Sequence, residues 1–150
     1  MDQATSLGVP AEFKFRDRVY KVAARTFEHE ALFCQWVKRE NLEEIERQKS
    51  WMPATLYQMQ IDGWRRDLGM KLYDWGMPFI QSASLSPSGS KQLAYLALAE
   101  KNPGVTLLLI DAIYDDADAW ERLCLVMADL NDPNRPKQVH PEATQAPVNP

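Results

Sequence analysis

Cysteine and histidine are the scarcest reactive side chains in this chain, with two of each in 150 residues. Cys34 and Cys124 both fall inside apolar patterns of helical period. That excludes the disulfide framework of a small secreted domain and fits reduced, buried thiols in a cytoplasmic protein. His29 stands in Glu28-His29-Glu30, where neighbouring side chains point in different directions round a helix and do not converge on a metal. His140 lies in a polar tail. No apolar run approaches the ~20 residues needed to span a bilayer. Met1 to Pro10 lacks the basic-then-apolar pattern of a secretory signal. A soluble protein with no membrane partner is expected. There is also no excess of positive charge: 17 basic residues face 21 acidic ones, with no Lys/Arg-rich block. A broad phosphate-contacting face is therefore missing, and nucleic acid is not an expected partner.

What is present is ordinary globular material. Apolar residues make up 45% and charged residues 25%, with five each of Trp, Tyr and Phe to fill a core. The length suits a single domain, placed at 12–131 between a flexible N-terminus, 1–11, and a tail, 132–150. The tail is rich in Pro and nearly devoid of bulky apolar side chains. It buries too little to offset the entropy of ordering, so disorder is expected there.

Along the chain, Phe13-Lys14-Phe15 and Tyr20-Lys21-Val22 alternate as the strands of a hairpin. A turn at Asp17-Arg18 pairs Phe15 with Tyr20 and Phe13 with Val22, with the four apolar residues on one face and the two Lys on the other. Thr26 reads as the N-cap of a helix running to about Lys49, with Glu28 and Glu30 in its first turn. Its first half is bulky and apolar; its second half is charged apart from Leu42 and Ile45 and is expected to project into solvent. A second helix starts near Pro53. Tyr57, Ile61, Trp64, Leu68, Leu72 and Trp75 form one stripe on it, and Gly76 stops it. Met77-Pro78-Phe79-Ile80 opens a short helix. Ser86-Pro87-Ser88-Gly89 ends that helix as a linker, and Ser90 caps the next one through Leu93, Leu96 and Ala97. Asn102-Pro103-Gly104 is a stop. Thr106 to about Tyr114 reads as helix from the helix punctuation on either side, although Val105 to Ile110 alone has the composition of a buried strand; Asp116 caps a last helix whose Trp120, Cys124, Met127 and Leu130 face inward. The fold class is mainly α: a helical bundle with a short N-terminal β-hairpin and a disordered C-terminal tail.

A catalytic constellation does not emerge. Asp111, Asp115, Asp116 and Asp118 are the densest acidic group, and Asp111 and Asp115, one turn apart, are placed to share a divalent ion. A calcium loop counted from Asp116 fails, since its sixth position is Glu121 and its twelfth Met127. Carboxylates capping helices and facing solvent account for the group. Ser86-Pro87-Ser88-Gly89-Ser90 has neither the spacing of a nucleophile elbow nor that of a phosphate-cradling loop. Arg65 and Arg66 flank an apolar stripe, as boundary cations commonly do. The reading is a non-enzyme with no catalytic, cofactor-binding or metal residues and no cofactor. A metal-dependent hydrolase using Asp111 and Asp115 is the enzyme alternative.

The hairpin, the Thr26-capped helix and the segment Leu93-Ala94-Tyr95-Leu96-Ala97-Leu98 form part of a wider pattern. Next come Lys101-Asn102-Pro103-Gly104-Val105-Thr106, acidic helices and a Pro-rich tail. The whole resembles the phage tail assembly chaperones over about residues 12–135. The long Trp-rich helix at 53–75 matches no hallmark of that family. The resemblance implies a host-cytoplasmic protein that binds the tape-measure protein and helps recruit tail tube protein during virion assembly. A structural or adaptor protein of the tail or neck is the alternative. The family has no residue motif to carry over, so candidate partner-binding residues come from this chain alone. Phe33 and Trp36 lie well round the helix from Phe27, more than one buried stripe accommodates, and Phe79 adds bulk at the next junction. Phe33, Trp36 and Phe79 are the expected surface for a helical partner or for self-association.

Overall fold

The computed structural model describes residues 11–69 and 74–134. The expected tail beyond residue 134, the first ten residues and Leu72 of the apolar stripe lie outside the described residues. The chain divides into two compact units, Met1–Arg25 with Ala94–Pro150, and Thr26–Leu93. Its elements are two strands, β1 (Ala11–Phe15) and β2 (Arg18–Val22), and six α-helices among the described residues. These are α1 (Phe27–Arg47), α2 (Ala54–Trp64), α3 (Pro78–Leu85), α4 (Pro87–Ala99), α5 (Leu107–Asp115) and α6 (Ala117–Leu130). The mainly helical class with an N-terminal hairpin is the observed one.

In the first unit the hairpin lays Phe13, Phe15, Tyr20 and Val22 onto a core shared with Ala94, Ala97 and Leu98 of α4, Ile110 and Ile113 of α5, and Ala119 and Leu123 of α6. The inward face is the expected one, but the register differs. Phe13 pairs with Tyr20, Ala11 with Val22 and Phe15 with Arg18, two residues from the pairing read off the sequence. A two-residue slip preserves every side chain's face because the strand period is two. The direct opposition of Phe13 and Tyr20 is an aromatic cross-strand pair. The turn therefore falls at Arg16-Asp17, with Arg16 at φ 56, a conformation usually left to glycine. The Arg16 guanidinium lies 4.8 Å above the Phe15 ring.

Two asparagines fasten β2 and the segment after it. The buried Asn102 side chain accepts from the Lys21 N–H at 3.0 Å and donates to the Lys21 carbonyl at 2.7 Å and the Leu98 carbonyl at 2.6 Å. It thus supplies the edge strand with the partners a third strand would give. Asn131 accepts from the Arg25 N–H at 2.7 Å and donates to the Met127 carbonyl at 2.8 Å. Thr106 caps α5 and Asp116 caps α6, each accepting from the backbone N–H three residues on. The apolar run Val105–Ile110 is helical from Leu107. On α6 the fully buried positions are Ala119 and Leu123. Trp120, Cys124, Met127 and Leu130, expected to face inward, are half-buried and flank that line.

The second unit begins with a capping box. Thr26 Oγ1 accepts from the His29 N–H at 3.1 Å, and His29 Nδ1 accepts from the Thr26 N–H at 3.4 Å. Histidine thus takes the place usually held by Glu or Gln, and this buried His29 has a structural task. The second half of α1 does not project into solvent as expected. A 3₁₀ turn at Lys49–Trp51 folds α2 back along it, and Trp64 Nε1 donates to the Lys38 carbonyl at 3.2 Å.

The second helix is not continuous to Trp75. Its α-helical pattern ends at Trp64, widens to a π-helix over Arg65–Gly69, and Asp74–Met77 is a turn. The widened turn brings residues five apart into line. A Cβ on Gly69 would stand 2.7 Å from the Trp64 ring, so this glycine is what lets the indole lie across the backbone.

The segment 86–90 is likewise no linker, because α4 begins at Pro87, three residues before the expected Ser90 cap. Ser86 Oγ accepts from the Gly89 N–H at 3.0 Å. Gly89 packs so closely that an added Cβ would fall 1.8 Å from the Ala83 carbonyl oxygen.

Candidate interaction groove

The unit Thr26–Leu93 carries an open groove of about 520 Å³. Its first wall is Asn41, Glu44 and Ile45 of α1 with the C-cap Gln48; its second is Gln60, Gly63, Trp64 and Asp67, with Leu68, from α2 and the π-helix; Phe79 of α3 also lines it. Both walls use the spacing i, i+3, i+4, i+7, which keeps four positions on one helical face. The floor is apolar, from Ile45, Trp64, Leu68 and Phe79, while amides and carboxylates form the rim. The two rim carboxylates are held locally: Glu44 by Arg47 at 2.7 Å and Asp67 by Arg66 at 3.0 Å. Gly63 leaves the α2 wall open, since a Cβ there would meet only the Arg66 guanidinium at 3.6 Å.

Beyond the groove, the same face of α2 continues through Met59 and Leu56, four and seven residues before Gly63. Met59 is 69% exposed and Leu56 is also exposed. Trp51, at the tip of the helical hairpin, is exposed too, its indole N–H donating to the Arg47 carbonyl at 3.0 Å. Apolar side chains thus continue along α2 from the groove floor, giving one unit more exposed bulk than isolated surface residues would.

The three expected partner-binding residues separate. Phe33 is fully buried, 0% exposed. Its ring stacks on Trp36 at 5.5 Å and meets the edge of Trp75 at 5.6 Å, so it belongs to the core of the unit and not to a docking surface. Trp36 is half-buried in that aromatic group. Phe79, 43% exposed, is the one that lines the groove. Ile45, Gly63 and Leu68 were missed. The signal that would have found Ile45 and Gly63 is the repeated 3-1-3 spacing of 41-44-45-48 and 60-63-64-67.

Two members of the acidic group have local tasks. Asp116 caps α6, and Asp118 lies 3.3 Å from Arg122 Nε. Among the described residues, no three His, Cys, Asp or Glu side chains are grouped to hold a metal ion. Both thiols are free. Burial pushes the Cys34 thiol above its ordinary range, with Asp74 and Glu30 adding to the effect, and burial alone does so at Cys124. No helix among the described residues is long and apolar enough to cross a membrane. Comparison with protein-family models, curated proteins and solved structures gives no match.

Proposed function

We propose that this protein is a phage tail assembly chaperone that holds a helical segment of the tape-measure protein in the groove between α1 and α2 and assists tail tube assembly in the host cytoplasm. The observation that carries the reading is the groove itself: an apolar floor about two helical turns long, a polar rim, and exposed Leu56 and Met59 extending it. An amphipathic helix meets such a surface with anchors at i, i+3, i+4 and i+7. Methionine in the extension suits a binder that accepts varied side chains. The resemblance of the chain's layout to tail chaperones supplies the partner's identity.

Magnitudes fit holding rather than permanent capture. Burying three apolar anchors offers about 5–9 kcal/mol, while association costs roughly 4 kcal/mol or more. One site is therefore weak, as a chaperone that must later let go requires. The test is co-expression with the tape-measure protein. The wild-type chain is expected to keep it soluble and Phe79→Glu to release it to the insoluble fraction. Failure of the wild-type chain to keep it soluble refutes the proposal. Finished particles should lack the protein; its presence there would make it a structural adaptor instead.

A further inference from the structure

The two edges of the hairpin are treated differently. On the β2 edge the Asn102 amide takes both the N–H and the carbonyl of Lys21, so those two groups point away from β1. In an antiparallel pair, opposed residues alternate between exchanging their backbone bonds and turning them outward. Glu12 stands opposite Lys21, and Lys14 opposite Val19 two residues along. Both are therefore outward-turning positions, and the N–H and carbonyl of Glu12 and of Lys14 face out along the other edge of β1. In keeping with that, the Lys14 carbonyl accepts from Arg122 Nη1 at 2.8 Å. This bond uses one of the oxygen's two lone pairs and leaves the other. Among the described residues, no strand but β2 lies beside β1.

The side chains of this edge decide what pairs with it. Glu12 and Lys14 are exposed on the outer face, because Phe13 and Phe15 turn into the core. Edge strands are commonly guarded by lysine, and a row of one sign would repel a second copy. Here the sign alternates. When two copies of β1 lie antiparallel about a two-fold axis, only positions that turn their backbone outward on both strands exchange bonds. Setting Glu12 on Glu12, or Lys14 on Lys14, opposes like charges and is destabilising. Centring the axis on Phe13 instead sets Glu12 of each copy opposite Lys14 of the other. The backbone parity and the charges thus select the same register. Across the four strands one row reads Lys21, Glu12, Lys14, Val19, so the glutamate keeps its place opposite Lys21 and gains a second lysine.

We infer that the β1 edge pairs with the same edge of a second copy of this chain, joining two hairpins into a four-stranded antiparallel sheet with Glu12 of each copy opposite Lys14 of the other. Such a contact is isologous and closes at a dimer. The strands are short and exposed ion pairs contribute little, so the dimer is weak and fills as concentration rises. It uses neither the groove nor the groove's partner, and either can fail without the other.

Sedimentation velocity of the full chain, with hydrogen exchange at the Glu12 and Lys14 amides, tests it. The wild-type chain is expected to pass from monomer to dimer with concentration and to stop there, and both amides should exchange more slowly in the dimer. Glu12→Lys sets lysine on lysine, and Lys14→Glu sets glutamate on glutamate. Each alone should be monomeric where the wild type is dimeric. Glu12→Lys/Lys14→Glu, with both signs reversed, should dimerise again, and so should an equimolar mixture of the two single variants. Recovery in the mixture also shows that both are folded. A wild-type chain that stays monomeric, a dimer whose Glu12 and Lys14 amides exchange at the monomer's rate, or single variants that still dimerise would each overturn the inference.

Discussion

Replacing Gly89 by alanine sets two opposed effects against each other. Gly89 lies in the first turn of α4, and alanine is favoured over glycine within a helix by roughly 1 kcal/mol. Propensity alone predicts a more stable protein. Against that, the new Cβ would fall 1.8 Å from the Ala83 carbonyl oxygen. Both groups belong to the backbone of adjoining helices, so no rotamer change relieves the clash. The α3–α4 junction must open, with an overpacking cost of about 1–3 kcal/mol. Opening also loosens the bond from the Gly89 N–H to Ser86 Oγ, a cap worth about 1 kcal/mol. The net expectation is a loss of roughly 1–3 kcal/mol.

Urea unfolding followed by far-UV circular dichroism measures this. With a slope of about 2 kcal/mol per molar, the midpoint should fall by roughly 0.5–1.5 M. Gly63→Ala is the control, since a Cβ there makes only an ordinary 3.6 Å contact with the Arg66 side chain; it should gain about 0.5–1 kcal/mol. A Gly89→Ala protein as stable as wild type would refute the close packing of the junction.

Other outcomes follow from single contacts. Asn102→Ala removes the side-chain partners of the Lys21 N–H and carbonyl. It should cost roughly 2–4 kcal/mol and speed hydrogen exchange at the Lys21 amide; a change under half a kcal/mol would show that water replaces the amide. Thr26→Ala should cost about 1 kcal/mol through loss of the α1 cap, read from the same urea curves. Cys34 and Cys124, with raised pKa values, should react with a thiol-directed reagent more slowly than free cysteine at pH 8. Because the unfolded chain ionises its thiols first, their contribution makes stability fall as pH rises through the ordinary thiol range and above it. Reaction as fast as free cysteine would contradict their burial.

The sequence was most legible where local chemistry decides. Thr26 and Asp116 announced their helices, and strand alternation assigned the hairpin's faces even though the register slipped by two residues. What remained hidden depends on distant partners. Nothing near Asn102 announces that its side chain completes the edge of β2, 81 residues away in sequence. Gly69 reads from the sequence as a weak point in a helix that permits close packing, but its partner, the Trp64 ring, stayed hidden because a π-turn has no pattern of its own in the apolar stripe. The surface was harder still. Phe33 and Trp36 looked superfluous beside one stripe, but Trp75, in the turn before α3, meets the Phe33 ring. In the groove only Phe79 was anticipated, since Ile45 sits in a charged stretch that reads as solvated until α2 is seen to cover it.

Hydrogen exchange of the full chain, with and without a soluble fragment of the tape-measure protein, tests the central claim most directly. The account predicts new protection at 41–48 and 60–68, the two walls of the groove, reduced by Phe79→Glu. Binding that leaves both segments unchanged, or a fragment that does not bind, would contradict it.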